Sequence, residues 1–281
     1  MSDKSFTEKL DAEALAYFNS VCEKPFSQQA VAFLNAYWPE VHTQAEFIFN
    51  VAWEMIKYAD MHCKGIQLIY KYEEGNDLDF NIGLYFYEKL CKFLEDSKNA
   101  QWTAPEYAMS QPEMMTALKR KVELREKVDV NFDGRVSFLE YLLYQYQAVA
   151  NPADFCTRSM GTPDEHPEIR KARLALEEVN KRIRAYEEEK ARLTAESQLP
   201  GVKGLRAKNM LAQIDSSPLW EELNRALITA EAAVRIATRK FGGGKGGTYT
   251  AADGSQAVAP TEGAIWWMNR DLAEKKKRYG R

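Results

Sequence analysis

The sequence has few cysteines, and none of them lies in a paired motif. Among its 281 residues are four cysteines, Cys22, Cys63, Cys91 and Cys156, with no CxxC spacing. Disulfide-rich secreted domains need many closely arranged cysteines, and structural zinc sites use short cysteine pairs. The sequence therefore excludes both classes and fits a protein of a reducing cytoplasm.

Long apolar runs are also missing. Charged residues make up 28% of the chain, and no apolar stretch approaches the roughly 18 to 20 residues that a membrane span needs. The opening segment, MSDKSFTEKLDAEALAYF, mixes charged and apolar residues and lacks the uninterrupted apolar stretch of a secretory signal. We expect a cytoplasmic chain without a transmembrane segment.

The sequence shows no constellation of catalytic residues. Its three histidines, His42, His62 and His166, have neither metal-ligand nor catalytic-triad spacing, and no nucleophile is flanked by a recognisable base. The GGGKGG string at 242–247 lacks the Ser or Thr that follows the lysine of a phosphate-binding loop, so it is interpreted as a flexible linker. We expect a protein that is not an enzyme.

Charge is distributed unevenly along the chain. Residues 1–110 carry 9 basic and 17 acidic side chains, whereas residues 168–241 carry 15 basic and 11 acidic ones. Residues 242–281 carry 7 basic and 4 acidic side chains. A basic C-terminal half favours an acidic partner surface, and charge alone does not choose among a filament, a nucleic acid and a lipid headgroup layer.

Apolar residues recur at three- and four-residue steps through most of the chain, which predicts an all-α fold with only short β-pairing between calcium-type loops. Proline- and glycine-rich breaks divide it into segments. These are an N-terminal helical module at 1–150, a linker at 151–167, a helical hairpin at 168–241, a flexible Gly-rich linker at 242–263 and an amphipathic basic tail at 264–281.

The hairpin is predicted from a heptad pattern followed by a break and a second apolar repeat. The two seam positions of the first helix hold Ile169, Leu176, Ile183 and Lys190, and Ala172, Val179, Tyr186 and Leu193. After the break QLPGVKG, the second repeat consists of Leu223, Leu227, Ala230, Val234, Ala237 and Phe241. Two long helices joined by a turn are expected to pack antiparallel, in the manner of a coiled coil.

The segment DVNFDGRVSFLE matches the twelve-residue EF-hand calcium loop at each diagnostic position. Gly134 allows the sharp turn at position 6, and Val136 is expected to pair with a partner loop through a short strand. Calcium prefers six to eight hard oxygen ligands. The predicted ligands are Asp129, Asn131, Asp133, the Arg135 carbonyl, Ser137 through a water, and Glu140 with both carboxylate oxygens.

EF-hands usually occur in pairs, and a second, degenerate loop is predicted in the string DLDFNIGLYFYE. Its candidate ligands are Asp77, Asp79, Asn81 and Glu88, with Leu84 at position 8. Position 6 holds Ile82 instead of glycine. Two alternatives remain open: a hand that pairs structurally but binds calcium weakly or not at all, and a second calcium site. Asp79 is also a candidate helix cap.

The tail combines two tryptophans with a basic run. Trp266 and Trp267 either dock on the helices of the chain itself or anchor a partner, since Trp is enriched at binding hot spots. Beyond them, Lys275, Lys276, Lys277 and Arg278 form a solvated face or an electrostatic contact.

Long strings of this sequence resemble the calcium-regulated actin-bundling protein family of cellular slime moulds and related amoeboid cells. The resemblance covers nearly the whole chain. It is carried by FTEKL, PFSQQAVAFLNAYW, KYADMHCKGIQL, EGNDLDF, KVDVNFDGRVSFLEYLLYQY, HPEIRKARLALEEVNKRIRAYEEEKARL and AIWWMNRDLAEKKKRYG.

The resemblance implies a cytosolic protein of the actin cytoskeleton, at the cell cortex and in protrusions, whose crosslinking of filaments is reduced by calcium. It implies two EF-hands, which supports a structural role for the upstream loop. It also implies that actin binding is strongest in the C-terminal helical region, here 193–241, with contributions from the N-terminal part and the tail.

The resemblance implies an actin filament and no nucleic acid as the partner. The basic hairpin agrees with this, since an actin filament is acidic, and binding is expected to weaken with salt. The basic residues expected at this contact are Arg182, Arg184, Lys190, Arg192, Lys203, Arg206, Lys208, Lys275, Lys276 and Lys277.

The main hypothesis is that Ca²⁺ bound at 129–140 changes the angle between the flanking helices. The N-terminal module would then pack differently on the basic hairpin, and bundling would be lost. The alternative hypothesis is an EF-hand calcium sensor or adaptor that docks its helical arm on a non-actin protein or an anionic membrane.

Overall fold

The computed structural model describes residues 10–160, 165–242, 247–250, 256–259 and 261–280. Within these residues, two structural units are distinguished. The first takes in 10–67, 72–160 and 262–264, and the second takes in 68–71, 165–242, 247–250, 256–259, 261 and 265–280. No helix in this part of the chain is both long and apolar enough to cross a membrane.

The first unit is built from helices that are joined by short turns and one strand pair. Its helices are α1 (Ala12–Cys22), α2 (Phe26–Val41), α3 (Ala45–Phe47), α4 (Trp53–Cys63), α5 (Phe80–Glu95), α6 (Ala117–Glu123), α7 (Phe138–Gln145) and α8 (Pro152–Ser159). A π-helical turn, Ile48–Ala52, connects α3 to α4, and another, Leu124–Val128, continues α6. Short 3₁₀ segments lie at His42–Gln44, Ser97–Thr103 and Pro105–Ser110.

Small polar side chains cap the starts of five of these helices, α1, α5, α6, α7 and α8. Asp11 accepts a hydrogen bond from the Ala14 N–H at 2.8 Å, and Asn151 accepts one from the Asp154 N–H at 2.9 Å. Each bond satisfies a backbone donor that has no partner within its own helix. The helix starts are therefore set by local sequence.

The core of the first unit is aromatic. Phe26 of α2 meets Phe138 of α7 edge to face, with their ring centroids 6.3 Å apart, and Phe33 lies 5.5 Å from Tyr146. These four side chains are buried. Helix α2 thus packs along the helix that carries the end of the predicted calcium loop.

The strand pair joins the two loops of this unit. Strand β1 (Asp77–Asp79) runs antiparallel to β2 (Arg135–Ser137), and Leu78 lies opposite Val136. The predicted all-α fold with short β-pairing is confirmed, including the strand at Val136.

The second unit is a helical bundle with a short hairpin. Its elements are a 3₁₀ turn at Ile69–Lys71, α9 (Pro167–Ser197), α10 (Val202–Ala212), a 3₁₀ turn at Ile214–Ser216, α11 (Pro218–Phe241), β3 (Gly247–Thr250) paired with β4 (Gln256–Ala259), and the part of α12 (Glu262–Tyr279) that follows Ala264.

Helices α9 and α11 run antiparallel, as their cross-helix contacts show. Glu168 pairs with Lys240 at 2.8 Å, and farther along, Glu222 pairs with Arg182 at 2.5 Å. Most of the predicted seam is buried, on both helices. Lys190 is exposed, so its assignment to the seam is wrong, because a lysine ammonium stays hydrated unless it is paired.

The second arm of the hairpin is two helices and not one. Helix α10 ends at Ala212, and α11 begins afresh at Pro218. Ser217 caps α11 by accepting from the Trp220 N–H at 3.3 Å, and proline at the first helical position has no N–H to continue the preceding helix.

Two predicted linkers contain regular structure. Pro152–Ser159 is helix α8, because Asn151 caps it and Pro152 occupies the first helical position, where proline starts a helix. Residues 161–164 lie outside the described residues. In the expected flexible segment 242–263, Gly247–Thr250 pairs with Gln256–Ala259, and helix α12 already begins at Glu262. Residues 243–246, 251–255 and 260 lie outside the described residues.

The tail helix packs on the hairpin of its own unit. Asn269 donates to the Thr238 hydroxyl at 2.8 Å, and the Tyr279 hydroxyl donates to Glu187 at 3.0 Å. Trp267 is buried. Of the two alternatives for the tryptophans, docking on the chain's own helices is the one observed for Trp267.

We expect Leu223→Ala to destabilise the second unit by about 2–5 kcal/mol, since the buried side chain leaves a cavity in the hairpin. Ile228→Ala on the same helix is the control, because Ile228 is 66% exposed and its removal should cost less than about 0.5 kcal/mol. Urea unfolding followed by circular dichroism measures both. Equal losses for the two variants would contradict the packing of the seam.

Candidate calcium site

The predicted calcium loop lies between the π-helical turn that ends at Val128 and helix α7. Its backbone takes two left-handed conformations, at Phe132 (φ 58°) and at Gly134 (φ 80°). Glycine adopts this conformation without a steric penalty, whereas a bulky residue such as phenylalanine is strained in it. The two turns give the loop its tight curvature.

Side chains at positions 1, 3 and 5 fold back onto the loop backbone. Asp129 accepts from the N–H groups of Asp133 at 3.2 Å and Gly134 at 3.0 Å. Asn131 accepts from the Asp133 N–H at 3.2 Å, and Asp133 accepts from the Arg135 N–H at 2.8 Å. The oxygens of these residues therefore gather on the inside of one turn.

Glu140, at position 12, has both carboxylate oxygens engaged. One oxygen accepts from the Val130 N–H at 2.9 Å, and the other accepts from the Ser137 N–H at 2.8 Å and the Ser137 hydroxyl at 2.9 Å. The Ser137 hydroxyl in turn accepts from the Glu140 N–H at 3.2 Å, which completes a capping box at the start of α7.

Both terminal carboxylates of the loop are buried. Glu140 is 1% exposed, and burial raises its pKa to about 8. Burial also raises the pKa of Asp129, and the neighbouring Asp133 carboxylate adds to the increase. Buried carboxylates that lie close together are costly without a positive charge, so a cation would be stabilised here.

The donor set of the loop suits calcium. Its predicted ligands are carboxylate, amide, carbonyl and hydroxyl oxygens, which hard divalent cations prefer. Within the described ranges, however, no three carboxylate, imidazole or thiol side chains are gathered closely enough to hold a metal. In this arrangement the Glu140 carboxylate is used by the capping box and by Val130.

The structure does not bring Asp77, Asp79, Asn81 and Glu88 together in one loop, so the predicted register of the second loop is wrong. Asp77 and Asp79 belong to strand β1, and Asp79 caps α5 by accepting from the N–H groups of Asn81 and Ile82. Glu88 lies within α5 and pairs with Lys92 at 2.6 Å.

Strand pairing explains the error in register. Leu78 lies opposite Val136, so Leu78 occupies the position in its loop that was expected for Leu84. In both loops the last residue of the strand caps the helix that follows, Asp79 in one and Ser137 in the other. Aligning the two caps would have found the correct register from the sequence.

Two acidic residues near the first loop, one in α4 and one between α4 and β1, already have hydrogen-bond partners. Asp60 accepts from Lys64 at 2.8 Å, from the Tyr72 hydroxyl at 2.7 Å and from the Gly75 N–H at 3.1 Å. Glu74 accepts from the N–H and hydroxyl of Ser27 at 3.1 and 2.6 Å, and from the Trp53 indole. These bonds, which the sequence analysis missed, fasten the loop to α2 and α4.

A buried polar network joins the helices around the calcium loop. Arg120 of α6 pairs with Glu123, and its guanidinium lies 4.1 Å from the ring centroid of Tyr87 on α5. Glu123 also accepts from the hydroxyl of Tyr144 on α7. Across the strand pair, Arg135 forms an ion pair with Asp77. The entering and exiting helices of the calcium loop are thus linked to each other and to α5.

Many of the basic residues predicted at the partner contact are engaged within the second unit. Arg182 pairs with Glu178 and Glu222, and Arg192 pairs with Glu189 and Glu196. Lys275 pairs with Asp271, and Lys276 pairs with Glu231. The Lys190 ammonium lies 5.8 Å from the ring of Tyr186, and Arg184 also has an interaction partner. Lys277 is exposed.

Helix α10 differs from these segments. Lys203, Arg206 and Lys208 are exposed and form no ion pair or side-chain hydrogen bond with any described residue. Val202 is 84% exposed, and Leu205 and Met210 are exposed beside it. The α10 face is defined here as Val202, Lys203, Leu205, Arg206, Lys208 and Met210.

A second face of this kind lies on α6 and the residues that flank it. Leu118 is 75% exposed, and Met114 and Val122 are exposed at four-residue spacing on either side of it. Lys119 and Arg125 are exposed beside them. The α6 face is defined here as Met114, Leu118, Lys119, Val122 and Arg125.

Two helix–loop–helix segments joined by an antiparallel strand pair define an EF-hand-type module, here in a chain that also contains a helical bundle. Residues 135–263 match the family model described as F actin bundling C terminal. A calcium-regulated actin-bundling protein from Dictyostelium discoideum is 72% identical over 277 residues, which cover 99% of this chain and 92% of the relative.

The crystal structure of the 34 kDa F-actin bundling protein from Dictyostelium discoideum is similar with a TM-score of 0.90. The two sequences are 71% identical, and the structural match covers 98% of the present chain and 100% of the Dictyostelium chain. The chain belongs to the family of calcium-regulated actin-bundling proteins.

We expect Phe132→Asn to give a more stable protein than Phe132→Ala by about 0.5–1 kcal/mol, because Asn tolerates the left-handed conformation better than Ala. Phe132 is 59% exposed, so neither substitution opens a cavity. Urea unfolding in the presence of a chelator measures the difference. Equal stability would show that the turn relaxes away from this conformation.

Proposed function

We propose that this chain binds actin filaments and crosslinks them into bundles, and that calcium binding at Asp129 to Glu140 inhibits the bundling. The observation that carries the proposal is the α10 face, an exposed apolar and basic surface within the region that matches the F-actin bundling model. Membership of the family supports the same function.

The α10 face has the chemistry of a filament contact. The filament surface is acidic, and the three cations of this face have no ion-pair partner among the described residues to give up on binding. Val202 and Leu205 add apolar area, which supplies affinity where charges alone would be screened. The ion-paired Arg182 and Arg192 are weaker candidates, since binding would first have to break their present pairs.

Bundling requires two filament contacts on each particle or a dimer with one contact on each chain. The α6 face supplies a second surface of the same character, with exposed apolar residues beside the exposed Lys119 and Arg125. A monomer with both faces would therefore suffice.

The α6 face is carried by the helix that enters the calcium loop, which connects calcium to crosslinking. A bound calcium ion would supply a double positive charge that only oxygen ligands satisfy. Glu140 fastens Val130 to the start of α7, and Arg120, Glu123 and Tyr144 fasten α6 to α7. A change in the hydrogen-bond partners of Glu140 would therefore shift α7, and with it the contacts that position α6.

Thermodynamic linkage fixes the sign of this coupling. Calcium weakens bundling only if the non-bundling state binds calcium more tightly. Filaments must then weaken calcium binding by the same factor. We propose that the hydrogen bonds of Glu140 in the capping box belong to the bundling state.

The rest of the hypothesis stays a prediction. It places the protein in the cytoplasm with the actin cytoskeleton, at the cell cortex and in protrusions, and it includes docking of the N-terminal module on the hairpin. An adaptor that binds an anionic membrane is the alternative outcome, since amphipathic basic helices also bind such surfaces. Sedimentation with anionic vesicles tests this alternative.

We expect the double variant Lys203→Gln, Arg206→Gln to bind filaments about tenfold more weakly, because it removes two cations of the α10 face. The control is Arg170→Gln, Lys171→Gln, which removes one arginine and one lysine from exposed positions of α9. High-speed co-sedimentation measures the affinity. Equal weakening by both pairs would show that net charge, and not the α10 face, is responsible.

We expect Glu140→Gln to bundle filaments at all calcium concentrations, because the loss of the carboxylate charge weakens calcium binding. Glu88→Gln is the control, since Glu88 is exposed on α5 outside the calcium loop, and it should keep the calcium response. Low-speed sedimentation over a range of free calcium measures bundling. A Glu140→Gln protein that still loses bundling in calcium would place the sensor elsewhere.

A further inference from the structure

A buried glutamine connects the two loops of the EF-hand-type module. Gln29 lies in the second turn of α2 and is 0% exposed. Its side-chain amide donates to the carbonyl oxygens of Cys22 at 2.8 Å, Lys24 at 2.6 Å and Asn76 at 2.7 Å. Its side-chain oxygen accepts from the Leu139 N–H at 2.9 Å.

The hydrogen bond from the Leu139 N–H lies at the start of α7, the helix that carries Glu140. Leu139 follows Phe138, the first residue of α7, and precedes Glu140. The first N–H groups of a helix have no partner within that helix. The Ser137 hydroxyl satisfies the Glu140 N–H, and Gln29 satisfies the Leu139 N–H. Gln29 is therefore a second cap on the helix that presents Glu140.

The other end of the Gln29 amide holds the first loop of the module. Asn76 directly precedes strand β1, which pairs with the strand of the calcium loop. Nearby hydrogen bonds also connect α2 to this loop: the Phe26 N–H donates to the Gly75 carbonyl at 3.0 Å, and Ser27 donates to Glu74. One buried side chain thus connects the start of α7 to the first loop.

We infer that Gln29 is a positioning residue for calcium binding, which sets the affinity of the 129–140 loop by holding the helix that carries Glu140. It does not touch the predicted ligand oxygens. Residues that orient metal ligands from outside the coordination sphere typically change metal affinity by about 10–100-fold when they are mutated. The inference rests on calcium binding at this loop, as proposed above.

The test is isothermal titration of the full-length protein with calcium. Gln29→Met keeps the length of the side chain and removes both the donors and the acceptor. We expect its calcium dissociation constant to rise about tenfold or more. An unchanged dissociation constant in a folded Gln29→Met protein would overturn the inference.

The chain offers a matched control in a second buried glutamine. Gln44 donates to the Glu106 carbonyl at 2.7 Å and accepts from the Ser110 hydroxyl at 2.7 Å. None of its hydrogen bonds reaches either loop. Gln44→Met should lower the melting temperature in chelator about as much as Gln29→Met does, and it should leave the calcium affinity unchanged. Equal weakening of calcium binding by both variants would reduce the effect to general instability and overturn the inference.

Two further results separate the possible failures. A wild-type protein that gives no calcium-binding signal contradicts the calcium site itself, and the Gln29 inference falls with it. If Gln29→Met does not fold, amide hydrogen exchange of the calcium-free wild-type protein decides. We expect the Leu139 amide to be protected as strongly as the Glu140 amide, and rapid exchange at Leu139 alone would overturn the inference.

Discussion

The hydrogen bonds of the Glu140 carboxylate are the constraint on which the calcium loop depends. One oxygen holds the Val130 N–H near the start of the loop, and the other closes the capping box at Ser137. The same carboxylate is the bidentate ligand that an EF-hand needs at position 12. Because one group cannot keep all of these bonds and also give both oxygens to a cation, calcium binding and the present arrangement of the loop compete for Glu140.

This competition reaches the α6 face, one of the two surfaces that we propose as filament contacts. Helix α6 enters the calcium loop and carries exposed apolar residues beside exposed cations, while its buried side holds Arg120 and Glu123. Removing one partner of a buried ion pair strongly destabilises a protein. We therefore expect α6 to move together with the residues that pair with it. The α10 face lies in the other unit and includes no residue of the calcium loop. Crosslinking, more than attachment to a single filament, is therefore the property that calcium would control.

The sequence could predict those features that depend on local chemistry. The sharp turn at Gly134, the strand at Val136 and most of the seam on α9 and α11 follow from spacing and side-chain type alone, whereas the ligand roles from Asp129 to Glu140 stay a prediction. The register of the first loop could not be obtained in this way. Asp77, Asp79 and Asn81 imitate a ligand pattern, but the pairing of Leu78 with Val136 is a long-range contact that overrides it.

Two other errors concern local signals at the starts of helices. From the sequence, Pro152 is expected in a linker, and Pro218 is given no role. Both prolines start helices, because a preceding Asn or Ser caps each helix. The bonds of Gln29 and Glu74 were beyond prediction, since they join residues that are distant in sequence. The tryptophan pair was ambiguous because burial of Trp267 depends on tertiary packing.

The most direct test is the calcium affinity of the wild-type protein, measured with and without saturating actin filaments under bundling conditions. If the bundling state keeps Glu140 in its capping box, filaments must raise the calcium dissociation constant by the factor by which calcium weakens bundling. A dissociation constant that is unchanged or lower in the presence of filaments would contradict the account.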